Sequence, residues 1–333
     1  MQVWDGAAQV PADLGTTVAT LGVFDGVHRG HQHVLGITVA EAEARDLTSV
    51  AITFHPHPAH VHRPAQELPL ISSLPDRLER LAGTGLDAVL VVAYTHDFAQ
   101  ATAEEFVRRY LLEILHARIV VIGEDARFGR GNTGDAATMT ELGRRLGFEV
   151  RVVPDRADPA TGRRWSSTWV RQLLAGGDVA AAAHVLGRPH RVRGLVVHGA
   201  KRGRALGYPT ANLHAADAGV VPADGVYAGW LLRPSHPPDA GAPARLPAAI
   251  SVGTNPTFDG TERTVEAYVL GRTDLDLYDE EVVVELVERL RPMIGFADVT
   301  ALLDQMADDV ARAADLLGVP APARPDVYAP ESG

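Results

Sequence analysis

Leu21-Gly22-Val23-Phe24-Asp25-Gly26-Val27-His28-Arg29-Gly30-His31 ends an apolar run that began at Val18, turns at Asp25-Gly26, and opens a helical pattern from Gln32 onward. A helix start carries unpaired N–H groups and the positive end of the dipole, which suits a phosphate. Gly26 and Gly30 leave no side chain where phosphates would approach. His28 and His31, at i and i+3, share a face and can reach one anion. The same letters also describe an ordinary strand-to-helix turn with solvated histidines, so the motif needs support from the rest of the chain.

Outward from it, runs rich in valine and isoleucine recur at Val18–Val23, Ser49–Phe54, Ala88–Ala93, Arg118–Ile122 and Phe148–Val153, with helical patterns at Gln32–Arg45, Pro75–Ala82, Ala103–Leu115 and Ala137–Leu146. Buried strands separated by helices predict a parallel sheet in an α/β layer fold. Ligands of such sheets collect at the carboxyl ends of the strands, where Gly22–His31 lies. Thr53-Phe54-His55-Pro56-His57-Pro58 follows the second run, with His60 and His62 beyond. Those histidines raise a metal site, but the prolines among them favour an extended chain over a chelating loop. The loop Gly123–Gly129 places Asp125 and Arg127 after the fourth run, near a ligand or in an ordinary βα connection. Ser166-Ser167-Thr168-Trp169-Val170-Arg171 precedes the helical Gln172–Ala175. Hydroxyls that cap a helix also hold phosphate oxygens, and Arg171 adds a two-pronged contact.

After Gly187-Arg188-Pro189-His190, which reads as a linker, the pattern changes. Strand-like runs at Val192–Val197, Gly225–Leu232, Ala248–Val252, Val265–Leu270 and Glu281–Leu290 follow one another, and a long helical pattern returns only at Val299–Leu317. Successive strands with turns between them predict an antiparallel barrel capped by a terminal helix. The insert Pro234–Pro247 reads as a mobile surface loop, and the proline-rich tail from Val319 as disordered. Gly199, Gly203 and Gly207 recur at a spacing of four, with Lys201, Arg202 and Arg204 among them, so their loop can turn backbone donors toward an anion. It is not a Walker loop, because Arg follows Lys201. Thr210 and Asn212 supply hard oxygen ligands of the kind Mg²⁺ takes. Glu266 alternates with Val265 and Ala267, so it faces a barrel mouth or water, and near a substrate hydroxyl it would serve as a base.

A length of 333 residues with 46% hydrophobic content supports two domains, at 1–186 and 187–318, followed by the tail 319–333. With no cysteine there are neither disulfides nor cysteine-ligated metals. A net charge of -11 argues against nucleic acid and against an anionic membrane as partners. No basic leader or membrane-length apolar run is present, and a cytoplasmic protein is expected. Self-association into a homo-oligomer is left open.

Taken in order, Gly22–His31, Thr53–Pro58, Ser166–Arg171, Gly203–Asn212 and Ser251-Val252-Gly253-Thr254-Asn255-Pro256-Thr257-Phe258 resemble the bacterial bifunctional riboflavin kinase/FAD synthetase family over about residues 15 to 318. Gly207-Tyr208-Pro209-Thr210-Ala211-Asn212 is specific to its kinase module, whereas His-x-Gly-His belongs to a broader nucleotidyltransferase superfamily. The resemblance implies a Rossmann-like nucleotidyltransferase domain followed by a riboflavin kinase barrel. Riboflavin and ATP would give FMN, and FMN with a second ATP would give FAD and pyrophosphate, with Mg²⁺ or another divalent ion as cofactor. It further implies His28, His31 and Arg171 as catalytic groups of adenylyl transfer, with Gly22, Phe24, Asp25, Gly30, Ser167 and Thr168 around the nucleotide. His57, Asp125 and Arg127 are implied beside flavin or nucleotide. In the kinase module it implies Glu266 as base, Thr210 and Asn212 as metal and phosphate ligands, and Gly199, Lys201, Gly203, Arg204 and Gly207 as the phosphate-covering loop. Ala126 departs from a usual Phe, and Asp279 from a usual Gly. Rival readings are a kinase with a silent first domain, a flavin-binding regulator without turnover, and a metal hydrolase built on His28, His31 and His33.

Overall fold

The computed structural model describes the whole chain except residues 66–67, 199–205, 215–218, 236–244, 258–259 and 326–333. It divides into two compact units, Met1–Leu70 with Leu74–Ser167, and Ile71–Ser73 with Thr168–Gly333.

The first unit holds strands β1 (Gln2–Asp5), β2 (Thr17–Leu21), β3 (Thr48–His55), β4 (Ala88–Ala93), β5 (Ala117–Gly123) and β6 (Glu149–Val153) in one parallel sheet of order β1-β4-β3-β2-β5-β6. Every residue of β2 is buried, as a central strand covered on both faces requires. The chain leaves β2 toward β3 on one side and returns to β5 on the other. The carboxyl end of β2 is therefore the switch point where such sheets hold ligands. Helices α1 (Arg29–Glu43), α2 (Pro58–His62), α3 (Leu74–Ala82), α4 (Ala103–Phe106) and α5 (Ala136–Leu146) connect the strands.

All five expected strands are present, and β1 is additional. It is four residues long and buries only Trp4, too little to leave a periodic signal. The helix expected over 103–115 is α-helical for one turn, started by a Thr102–Glu105 capping box, and continues as π-helix over Val107–Ile114. The extended chain expected after His55 is instead the short helix α2. Pro58 occupies the first turn of this helix, where its missing N–H costs nothing, and the His57 imidazole caps it by accepting the Ala59 N–H at 3.0 Å. Among the described residues no group of three His, Cys, Asp or Glu side chains is placed to hold a metal.

The second unit begins with α6 (Ser167–Gly176, its first residue counted with the first unit) and α7 (Val179–Leu186). Strands β7 (His190–Val197), β8 (Ala211–His214), β9 (Gly225–Leu232), β10 (Arg245–Thr257), β11 (Gly260–Val269) and β12 (Glu281–Arg291) follow, then α8 (Val299–Leu317). The strands close an antiparallel barrel of order β10-β11-β8-β7-β12-β9. Closure leaves no edge strand exposed to mispairing. Leu303, Val310, Ala313 and Ala314 of α8 pack with Tyr208, Val226, Ala228 and Tyr268 in one apolar cluster. Asp298 accepts the Ala301 N–H at the start of α8, and left-handed Gly318 ends it, so both ends follow the usual capping chemistry.

Strand β8 is missing from the expected order, because its four residues sit inside what reads as a glycine-rich loop. Arg245–Pro247, expected within a loop, belong to β10 and pair with Trp230–Leu232. His190, read as linker, is the first residue of β7 and is buried, its Nε2 2.7 Å from the Val220 carbonyl oxygen. Of the tail, Arg324 pairs with Asp304 at 2.6 Å, and residues 326–333 lie outside the described residues.

Barrel closure places one demand on side-chain size. A Cβ at Gly194 of β7 would lie 2.7 Å from the His214 carbonyl oxygen of β8 and 3.2 Å from Leu213 Cβ. Gly194→Val is expected to destabilise the second unit by about 2–3 kcal/mol through forced strand separation. Thermal unfolding measured against wild type checks this, and an unchanged midpoint would contradict it.

Candidate active sites

The turn after β2 is held in an uncommon backbone. Phe24 (φ 53) and Val27 (φ 39) are left-handed without being glycine, and for a β-branched residue that costs about 1–3 kcal/mol. Both side chains are buried in a cluster with Leu35, Ala51, Leu81, Leu86 and Val89. Burial of that kind returns about 1.5–3 kcal/mol per large side chain, enough to hold the strained turn. Gln32 Nε2 donates to the Val27 carbonyl at 2.8 Å and fixes it further.

This turn delivers His28 as the N-cap of α1. Its Nδ1 accepts the His31 backbone N–H at 3.4 Å, which in the neutral ring leaves the proton on Nε2, as a donor. The His28 and His31 rings stack at 3.7 Å between centroids, and Phe24 meets His31 edge-on at 5.4 Å. Gly30 lets the rings approach, since a Cβ there would stand 3.0 Å from the His28 ring and 3.3 Å from Trp165 Cβ. The Ser167 hydroxyl, at the end of the first unit, donates to the Asp25 carbonyl at 3.0 Å. Thr168 and Arg171 continue along α6, which starts five residues earlier than the predicted Gln172.

Beside this helix start lies a cavity of about 400 Å³ lined by Gly22, Phe24 and His31 on one side and by Asp125, Ala126 and Arg127 on another. Its apolar wall is Phe54, Tyr94, Phe98, Phe106 and Phe128, and with Phe24 five of the chain's eight phenylalanines line one cleft. The neighbouring rings meet edge-on or tilted at 5.2–6.4 Å, the packing that a planar ligand would continue. Burial pushes the Tyr94 hydroxyl above its ordinary pKa, and His62 Nε2 lies 2.7 Å from it. Asp125 is paired to Arg164 at 2.8 Å, and Arg164 also pairs with Asp155. Arg127 donates to the Ala126 carbonyl. His57 does not line the cavity, although Pro58 beside it does.

The sequence motifs do not reveal Tyr94, Phe98 or Phe106. Their signal is positional: aromatic residues following β4 at the carboxyl end of a parallel sheet. Arg77 of α3 is likewise unmarked and wholly buried, with its guanidinium donating to the Val23 carbonyl at 2.8 Å.

In the second unit, cross-strand register does the assembling. Glu266 of β11 stands opposite Asn212 of β8, while its neighbours Val265 and Ala267 are buried. The Thr210 hydroxyl donates to Glu266 Oε2 at 3.3 Å, and Asn212 Nδ2 donates to the Thr210 carbonyl at 3.2 Å and to its hydroxyl oxygen at 3.3 Å. Using its N–H group this way leaves the Asn212 side-chain oxygen as the end available to a cation. Thr210 and Asn212 line a small cavity of about 60 Å³ with Arg272, Leu277 and Tyr278. Arg272 grips Asp274 with two hydrogen bonds of 2.7 and 2.8 Å, holding that carboxyl at about 2. Left-handed Asp279 (φ 59) fills its turn without glycine, its N–H donating to the Val196 carbonyl. Gly207 takes φ 79 against Pro325, whereas Gly199, Lys201, Gly203 and Arg204 lie outside the described residues.

A helix start with stacked imidazoles at a sheet's switch point suits an enzyme that handles nucleotide phosphates, and a barrel that gathers Thr, Asn and Glu oxygens suits phosphoryl transfer. The chain matches the FAD synthetase family model over residues 10–168 and the riboflavin kinase model over 186–317. It is 34% identical to the bifunctional riboflavin kinase/FMN adenylyltransferase of Escherichia coli, covering 92% of this chain and 94% of that one. It is 31% identical to the Bacillus subtilis protein of the same name, covering 90% and 92%. A crystal structure from Streptococcus pneumoniae, described as a macrolide-efflux protein, superposes with a TM-score of 0.82 at 32% identity, covering 93% of this chain and 97% of that one. The chain belongs to the bifunctional riboflavin kinase/FMN adenylyltransferase family. Among the described residues no helix is long and apolar enough to cross a membrane.

The close packing at Gly30 is testable by itself. Gly30→Ala adds about 1 kcal/mol of helix propensity yet pushes the His28 ring. The expected outcome is an unchanged or higher Tm with shifted His28 and His31 imidazole signals in NMR spectra.

Proposed function

We propose that the second unit phosphorylates riboflavin at Thr210, Asn212 and Glu266, and that the first adenylylates the resulting FMN at the His28–His31 helix start. The chain is a bifunctional enzyme of flavin cofactor biosynthesis, consuming ATP in both steps. The observation that carries the assignment of sites is that each unit gathers a phosphate-suited polar group beside a cavity lined by its own motif residues.

In the kinase step Glu266 accepts the proton of the riboflavin 5′-hydroxyl as that oxygen attacks the γ-phosphorus of ATP, and ADP leaves. The Thr210 and Asn212 oxygens fit Mg²⁺, a hard ion that takes few protein ligands and the rest from phosphate and water. When bound, Mg²⁺ supplies neutralisation of phosphate charge. The loop with Gly199, Lys201, Gly203, Arg204 and Gly207 is assigned to cover those phosphates. In the adenylyl step a phosphate oxygen of FMN attacks the α-phosphorus of the second ATP and pyrophosphate leaves. His28, through its Nε2 proton, and His31 stabilise charge on the transferring group, with the N-terminal dipole of α1 behind them. Ser167 holds the pyrophosphate, and Gly22, Phe24, Asp25 and Gly30 shape the turn around the nucleotide. The aromatic wall suits a flavin ring, with Asp125 and Arg127 at its polar rim and His57 nearby. A cytoplasmic setting, where ATP and Mg²⁺ are at hand, belongs to this proposal.

Purified protein with riboflavin, ATP and Mg²⁺ is expected to yield FMN and then FAD on chromatography, and EDTA to stop both. His28→Ala should halt the sequence at FMN. Glu266→Gln should slow FMN formation by about 10²-fold or more while added FMN is still converted to FAD. Loss of both activities in either folded variant would remove the assignment of one step to each unit.

A further inference from the structure

Arg77 is 1% exposed, the largest wholly buried side chain among the described residues. A guanidinium taken out of water costs several kcal/mol unless its donors are used, so its partners matter. Its Nη1 donates to the Val23 carbonyl at 2.8 Å, to the Phe54 carbonyl at 3.2 Å and to the Thr53 hydroxyl at 3.4 Å. The Thr53 hydroxyl in turn donates to the Val23 carbonyl at 3.0 Å. Burial lowers the Arg77 pKa, and the Asp25 carboxylate opposes that shift.

These partners lie at two ends of one cleft. Val23 belongs to the turn that carries Phe24, Asp25 and the stacked histidines, and Phe54 belongs to the aromatic wall. A single cation from α3 therefore joins the carboxyl ends of β2 and β3, the two strands between which the phosphate turn emerges. Apolar packing holds the turn in place broadly. Hydrogen bonds that converge on one buried nitrogen, Nη1, fix the distance between the turn and the wall.

We infer that Arg77 is a positioning residue for adenylyl transfer. It touches no substrate and acts through the Val23 and Phe54 carbonyls, keeping the start of α1 and its imidazoles in register with the wall that receives the other reactant. Errors of about 1 Å in such placement cost about 10²-fold in rate, even when they arise away from the reacting atoms. Lysine keeps the charge, but its ammonium ends about one bond short of the place that Nη1 occupies, so it does not reach all three acceptors.

The inference rests on reading the first unit as the adenylyltransferase, and the test separates the two. Full-length Arg77→Lys and Thr53→Val are compared with wild type for FMN-to-FAD conversion, and riboflavin-to-FMN conversion on the same preparations reports on the fold of the other unit. The expected result for Arg77→Lys is a fall of 10-fold or more in kcat for FAD formation, with KM for FMN and ATP within about threefold and kinase activity unchanged. Thr53→Val should fall several-fold in kcat alone, which keeps the test in hand if Arg77→Lys fails to fold. The His28 and His31 imidazole NMR signals should move in both variants. Unchanged kcat with unmoved imidazole signals would overturn the inference. So would a rate loss that only follows the fraction of protein unfolded. If wild-type protein makes no FAD, the parent reading falls, and the imidazole signals still decide whether Arg77 sets their positions.

Discussion

A strand that passes straight into a helix across a short turn must be held there by its surroundings, and the first unit is built around that constraint. The chain leaves β2 and enters α1 in seven residues, and it does so by taking Phe24 and Val27 into left-handed backbone. Neither residue is suited to that conformation by its own chemistry. What sustains it is the packing of both side chains against Leu35, Leu81 and Val89, together with hydrogen bonds to Val27 and Val23. The histidine pair is thus presented by a turn that the surrounding core holds in place.

In the barrel the corresponding constraint is register. Glu266 and Asn212 are far apart in sequence and meet because β8 and β11 pair antiparallel with these two residues opposite each other. A one-residue slip would turn Glu266 toward the core and carry Val265 or Ala267 to the polar side. The buried Val265 and Ala267 therefore hold the carboxylate on the face where Thr210 reaches it.

Much of this was legible because strong periodic signals coincided with motifs. The five expected strands of the sheet and the terminal helix Val299–Leu317 are all present, the helix with the predicted bounds. Trp4 in β1 and Asn212 in β8 sit in strands of four residues, too short for alternation to register. The aromatic wall was illegible for another reason. Phe54, Tyr94, Phe98, Phe106 and Phe128 are scattered over four segments and converge only when the parallel sheet brings their loops to one end. Arg77 looks in sequence like any charged position on an amphipathic helix, and its neighbours Asp76 and Leu81 give no hint that its side chain turns inward. Pro58 misled by type: proline weighs against a continuing helix but favours a starting one.

Trp165 is one of four tryptophans in the chain; its Cβ rests near Gly30, and the Arg29 guanidinium stands 5.9 Å from its ring. Its indole thus shares the electric field of the α1 terminus. A change of charge there alters the surroundings of a native fluorophore, and the molecule carries an optical gauge of that helix terminus.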